Sequence, residues 1–212
     1  MFAAADGGQR RFVAQWLGCR SVAALPPPLS GSVGQDTRRK RYRMMRVLIT
    51  GMSGVGKTAV VRVLRNLGFR AIDMDEPGWA TFDELGHQRW DAARLQEMIE
   101  DSLCDPLFVS GCSEDQVPFY SQFSKIILLS APKSVIAQRL ASRTENSYGK
   151  HPAELEEVMK NLDEIEPLLR ERATYEIITT QPIDAVVKEI LDISCPTKRR
   201  SRRYVANGGS NE

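Results

Sequence analysis

A chain of 212 residues, 42% hydrophobic and 26% charged, is long enough to bury one sizeable core with tails on either side, and it holds no apolar stretch near the ~20 residues of a membrane-spanning helix. Its net charge of +2 hides a division: residues 1–46 carry nine Lys/Arg against two acids (+7), residues 47–195 fifteen against twenty-four (−9), and residues 196–212 five against one (+4). An acidic body argues against a nucleic-acid-binding core, and four cysteines at positions 19, 104, 112 and 195 with no C-x-x-C pair argue against a disulfide framework or a zinc site.

The N-terminal stretch contains Pro26-Pro27-Pro28, then Gly and Ser, then Arg38-Arg39-Lys40-Arg41, a composition that does not build a core. Residues 12–25 fit an arginine-rich, acid-poor transit peptide, whereas Gln15 and Arg20 interrupt the apolar run of a secretory signal. Translation starting at Met44 or Met45, a solvated tail and a nucleic-acid arm are the other readings of this stretch. The expected organisation is a basic extension over 1–44, one domain over 45–195 and a basic tail over 196–212, the tail including Lys198-Arg199-Arg200-Ser201-Arg202-Arg203.

The domain opens with Arg46–Thr50, a β-branched run of strand length. Next comes Gly51-Met52-Ser53-Gly54-Val55-Gly56-Lys57-Thr58, a complete G-x-x-x-x-G-K-T phosphate-binding loop. Backbone N–H groups of Gly51, Ser53, Gly54, Val55 and Gly56 are expected to cradle phosphate at the positive end of a helix. Lys57 reaches the β- and γ-phosphates, and the Thr58 hydroxyl ligates Mg²⁺. That helix is marked by Val60, Val61, Leu64 and Leu67, with Gly68 as its stop.

Phe69–Asp73 predicts a second strand, followed by a helix-rich segment to about Cys104 and a third strand over Leu107–Ser110. Lys125–Leu129 predicts a fourth strand, and Ser134–Ala141 a helix capped by Ser134. One long helix is expected over Glu154–Leu169, with Leu155, Val158, Met159, Leu162, Ile165 and Leu169 as its apolar stripe. A fifth strand, Tyr175–Thr179, and a helix over Asp184–Leu191 complete the order. Alternating strands and helices imply an α/β three-layer sandwich around a five-stranded parallel sheet, with ligands at the carboxyl ends of the strands.

Asp73-Met74-Asp75 falls at such an end, and alternation predicts both carboxylates on one side. Asp73 is the candidate for holding Mg²⁺ through water, and Asp75 for orienting an acceptor hydroxyl and taking its proton. The competing reading is a helix-capping Asp before Glu76-Pro77. Trp79, Phe82, His87, Arg89, Trp90 and Arg94 lie in the segment expected to build the acceptor side. For the tryptophans packing is the default reading, as it is for Cys112 beside the cleft.

The strand, phosphate loop and helix, the D-x-D at 73–75 and the strand ending in Ser110-Gly111-Cys112 resemble the small-molecule kinases of the nucleoside monophosphate kinase superfamily, especially shikimate kinase. The second half, with Ile136-x-x-Arg139-Leu140-x-x-Arg143, a short polar lid and Glu166-Pro167, resembles gluconate kinase. The resemblance implies a P-loop NTPase fold with a small mobile lid, ATP as donor, Mg²⁺ as cofactor and a small-molecule acceptor. It also implies Arg139 near the adenine or its phosphates, and Arg143 at the base of a lid over Thr144–Lys150, stabilising charge on the transferring phosphoryl group; Lys150 adds a further phosphate contact. The chain departs from both families: Ser110-Gly111-Cys112 replaces the glycine triplet of shikimate kinase, and Glu114-Asp115-Gln116 follows Cys112-Ser113 where gluconate kinase has a lysine.

The expected function is an ATP-dependent kinase of a small hydroxylated or phosphorylated metabolite, in a cytoplasmic monomer or weak dimer, with no membrane or nucleic-acid partner. A nucleotide kinase, a regulatory ATP-binding protein or ATPase, and an RNA-associated kinase using the basic tails are the alternatives. The absence of an N-K-x-D guanine-reading motif weighs against a switch.

Overall fold

The computed structural model describes residues 45–84, 87–101, 106–144 and 148–194. The expected extension over 1–44, the transit-peptide reading, the basic tail, Cys104 and lid residues 145–147 lie outside the described residues. The sheet has five parallel strands in the order β2-β5-β1-β6-β7: β1 Arg46–Thr50, β2 Arg70–Asp73, β5 Leu107–Ser110, β6 Lys125–Ser130 and β7 Tyr175–Ile178. A hairpin of β3, Ala80–Phe82, and β4, Gln88–Trp90, stands apart from it.

The three central strands are buried along nearly their whole length, as parallel strands covered on both faces must be. On one face Val47, Ile49 and Phe108 pack against α1, Lys57–Asn66, and α6, Ile183–Ser194. The Phe108 ring meets Phe69 edge-on at 5.6 Å. On the other face Leu48, Ile72 and Val109 pack with Trp90 and with Leu95 and Ile99 of α2, Ala92–Asp101. α1 ends as its sequence predicts: Phe69 N–H donates to Leu64 O and Gly68 N–H to Arg65 O, the paired bonds that close a helix on a glycine.

Three expectations are corrected. The stretch between the second and third predicted strands is not helix throughout: the hairpin precedes α2. Ser134 is not a cap, because α3, Lys133–Ser142, begins after Pro132, and its first-turn position leaves the cap without a side-chain bond. The predicted Glu154–Leu169 helix divides into α4, Pro152–Glu164, and α5, Glu166–Arg172. Pro167 lacks the N–H that would continue the ladder, and it occupies the first turn of the second helix, where that N–H is not needed. The stripe survives the break: Val158, Leu162, Ile165 and Leu169 are all buried. Arg170 then ties α5 to β7, with Glu166 at 2.7 Å and Glu176 at 2.9 Å.

Candidate active site

The phosphate loop leaves the central strand β1 and enters α1 between the carboxyl ends of β5 and β6. Gly51 has φ +148°, and a Cβ there would lie 2.3 Å from the Leu129 carbonyl oxygen, so no other residue fits that turn. Lys57 is buried, and its ammonium donates to Gly51 O at 2.8 Å and Met52 O at 3.4 Å. The charge is therefore held at the loop mouth by carbonyls that phosphate oxygens can replace.

The outer rim of the loop is braced from behind. Thr179, just past β7, donates its hydroxyl to Val55 O at 2.8 Å. Arg139 of α3 reaches Thr179 Oγ1 at 3.0 Å, the Thr179 carbonyl, and Val55 O at 3.4 Å. The structure thus brings Arg139 to the loop, on its β7 side. Arg143 follows α3 and donates to the Tyr148 carbonyl, while its Nε is buried without a partner. Burial pulls the Arg143 guanidinium below its ordinary value. Tyr148, whose hydroxyl is pushed up to about 12 by burial and the nearby Glu157 and Glu154, and Gly149, whose N–H donates to Glu154 Oε2 at 2.8 Å, fold the described end of the lid onto α4.

Asp73 and Asp75 are brought together, but not by strand alternation, because β2 ends at Asp73. Asp73 is fully buried, whereas Asp75 lies exposed in the following turn and donates its N–H to Asp73 Oδ1 at 3.1 Å. The Asp73 carboxylate also takes a hydrogen bond from the Thr58 side chain, and its Oδ2 is buried without a partner. Burial first, and the neighbouring Asp75 second, raise its pKa above the ordinary carboxylate value. A buried, half-satisfied carboxylate beside the Thr58 hydroxyl is the donor set a hard divalent cation uses.

The raised pKa has a sign. Between the unfolded carboxylate value and the higher folded one, the folded state binds more protons, so stability falls as pH rises through that window and the cost persists at neutral pH. Asp73→Asn is therefore expected to stabilise the ligand-free protein by about 1 kcal/mol at neutral pH while abolishing the extra thermal stabilisation by MgATP over Mg²⁺-free ATP. Paired melts with and without the metal check both halves.

Several contacts at this end of the sheet were not expected from the sequence. Ser110 pairs in register with Asp73 and has a buried hydroxyl without a partner. Gln88 donates to Asp75 Oδ1 at 3.2 Å. Thr50 donates to Gln116 Oε1 at 3.2 Å across the strand ends. The Cys112 thiol is pushed up by burial and faces Lys57, Thr50 and Gly51. A turn-rich gap flanked by Ala80-Thr81-Phe82 and Gln88-Arg89-Trp90 was the available signal for the hairpin.

That hairpin is keyed to the sheet through Gly111. A Cβ on Gly111 would stand 2.5 Å from Trp90 Cζ2 and 3.1 Å from Met74 Cβ. Gly111→Ala is expected to destabilise the fold by about 1–3 kcal/mol. Calorimetry should show the midpoint falling by about 2–4 °C per kcal/mol. Trp79 carries the Arg94 guanidinium 3.9 Å above its ring, and Phe82 is exposed. His87 faces Asp83 at 3.5 Å.

Comparison with known proteins agrees with this geometry. The model of a family described as AAA domain matches residues 47–160. Shikimate kinase 2 of Yersinia enterocolitica is 32% identical over 170 residues, spanning 72% of this chain and 97% of its own length. A nucleotide-binding protein of Halalkalibacterium halodurans is 31% identical over 157 residues; this chain spans 53% of that relative. Shikimate kinase from Acinetobacter baumannii, solved with shikimate, superposes with a TM-score of 0.50 at 20% identity, covering 76% of this chain and 99% of its own, a likeness of fold.

Proposed function

The chain belongs to the P-loop small-molecule kinases related to shikimate kinase, and from that premise we propose that it transfers the γ-phosphoryl group of ATP to a hydroxyl of a small metabolite. The observation that carries this reading is the convergence at the carboxyl ends of the strands of Lys57, Thr58, Asp73 and Asp75: a buried cation, a hydroxyl on a half-satisfied carboxylate, and an exposed carboxylate. Mg²⁺, when bound, neutralises charge on the phosphate oxygens. Thr58 would hold it through its hydroxyl and Asp73 through water, using the oxygen that has no protein partner.

Lys57 exchanges the Gly51 and Met52 carbonyls for the β- and γ-phosphate oxygens. Asp75 orients the acceptor hydroxyl and takes its proton as the acceptor oxygen forms its bond to phosphorus and the bond to the ADP oxygen breaks. Arg143, at the base of the lid, is assigned to the charge on the transferring group, and Arg139 to the adenine or its phosphates beside the loop. Closure of the lid excludes water that would otherwise consume ATP.

The test is ADP release by the full chain with MgATP, alone and with polyols, sugar acids, shikimate and nucleoside monophosphates. Stimulation by one acceptor, lost in Lys57→Ala, supports the kinase reading. Steady hydrolysis indifferent to every acceptor moves the assignment to an ATPase, and tight ATP binding without turnover to a regulatory protein.

A further inference from the structure

The acceptor edge uses its charges on itself. β4 runs along that edge: Gln88 reaches Asp75 and the Met74 carbonyl, and Trp90 abuts Gly111, leaving Arg89 between them. Arg89 places Nη1 2.7 Å from Glu114 Oε1 and Nη2 2.7 Å from Asp115 Oδ1. Both acids are largely sheltered, with 16% and 14% of their side chains exposed. Asp115 is fixed further by the Trp90 N–H at 2.8 Å and by the Ser113 hydroxyl at 3.4 Å.

The other basic side chains among the described residues of this segment are also engaged, Arg94 on the Trp79 ring and the Gly78 carbonyl, His87 on Asp83. Around the acceptor position, Asp75, Glu114 and Asp115 thus outnumber the one arginine. An acidic group on the acceptor would have to pull Arg89 from a sheltered carboxylate and leave that carboxylate unpaired, a loss larger than the gain from the new pair. The remaining polar groups there are uncharged: the Gln88 amide, which rests on Asp75 and the Met74 carbonyl, and the buried indole N–H of Trp90, which has no partner. Such groups discriminate by hydroxyls.

Resting on the kinase reading above, we propose that the acceptor is a hydroxyl compound carrying no carboxylate or phosphate, and that the Arg89–Glu114–Asp115 set is what excludes acidic acceptors. Shikimate and D-gluconate serve as carboxylate probes, titrated calorimetrically into the full chain saturated with MgADP. The wild type is expected to show no saturable binding of either. Glu114→Gln, at a side chain whose charge partner is Arg89, frees half of the guanidinium fork and is expected to bind a carboxylate probe at least about tenfold more tightly than the wild type, equivalent to about 1.4 kcal/mol.

Asp115→Asn is the second variant, with a melt of each to show that it is folded. Saturable binding of either probe by the wild type overturns the proposal, and so does failure of both folded variants to gain it. The titration needs no turnover, so a protein that releases no ADP with any acceptor fails the kinase reading while the exclusion of carboxylates is still measured.

Discussion

Lys57→Ala is expected to lower acceptor-dependent ADP release by about 10²–10³-fold, the cost of removing one preorganised charge from the transferring phosphoryl group. The resting position of this lysine makes the prediction specific. Its ammonium sits on the Gly51 and Met52 carbonyls of its own loop, so it is already at the phosphate position and loses little freedom when nucleotide arrives. The alanine variant frees those carbonyls to water at the mouth of the site and leaves Val55, Val60 and Val61 packed as before. Its melting temperature without ligand should therefore change far less than its rate. Lys57→Arg is expected not to rescue, because a planar fork does not fit where a compact ammonium sits between two loop carbonyls. Single-turnover rates beside ligand-free melts would separate loss of chemistry from loss of fold. A variant that keeps its rate overturns the role.

Asp75→Asn is expected to cost about 10²–10⁴-fold in transfer while ATP affinity stays within a fewfold of the wild type. The asparagine keeps the shape and the backbone N–H that Asp73 accepts, and its side-chain oxygen still takes the Gln88 amide. What disappears is the proton acceptor. Asp73→Asn should behave in the opposite way, losing the metal-dependent part of ATP binding before anything else. Nucleotide titrations with and without Mg²⁺, set beside rates, distinguish the two carboxylates. Weakened ATP binding in Asp75→Asn would refute the assignment.

The two aspartates also show how far the sequence could be read. The phosphate loop was legible because its chemistry is local: eight contiguous residues between a β-branched run and an amphipathic helix permit one arrangement. The sheet was legible for a related reason, since strands buried on both faces are written as apolar runs such as Ile126-Ile127-Leu128-Leu129. The hairpin was not. Each of its strands is three residues long and mixed in polarity, and Trp90 is placed by a slot that Gly111 leaves open just past β5, twenty-one positions away. The division after Glu164 was hidden because the apolar stripe runs straight through it. The Arg89 pairs were out of reach altogether, as nothing local tells an arginine in a polar strand that its partners are Glu114 and Asp115, beyond the next helix and strand.

The brace behind the phosphate loop has a consequence for how the protein is made. Arg139 and Thr179 hold the rim at Val55, yet Thr179 follows β7, near the end of the folded body, while the loop itself is among the first parts of that body to be synthesised. A nascent chain halted before residue 179 carries every residue of the nucleotide cradle and lacks its outer support. The ability to grip ATP should therefore appear late on the ribosome, in the same interval in which the sheet gains its last strand.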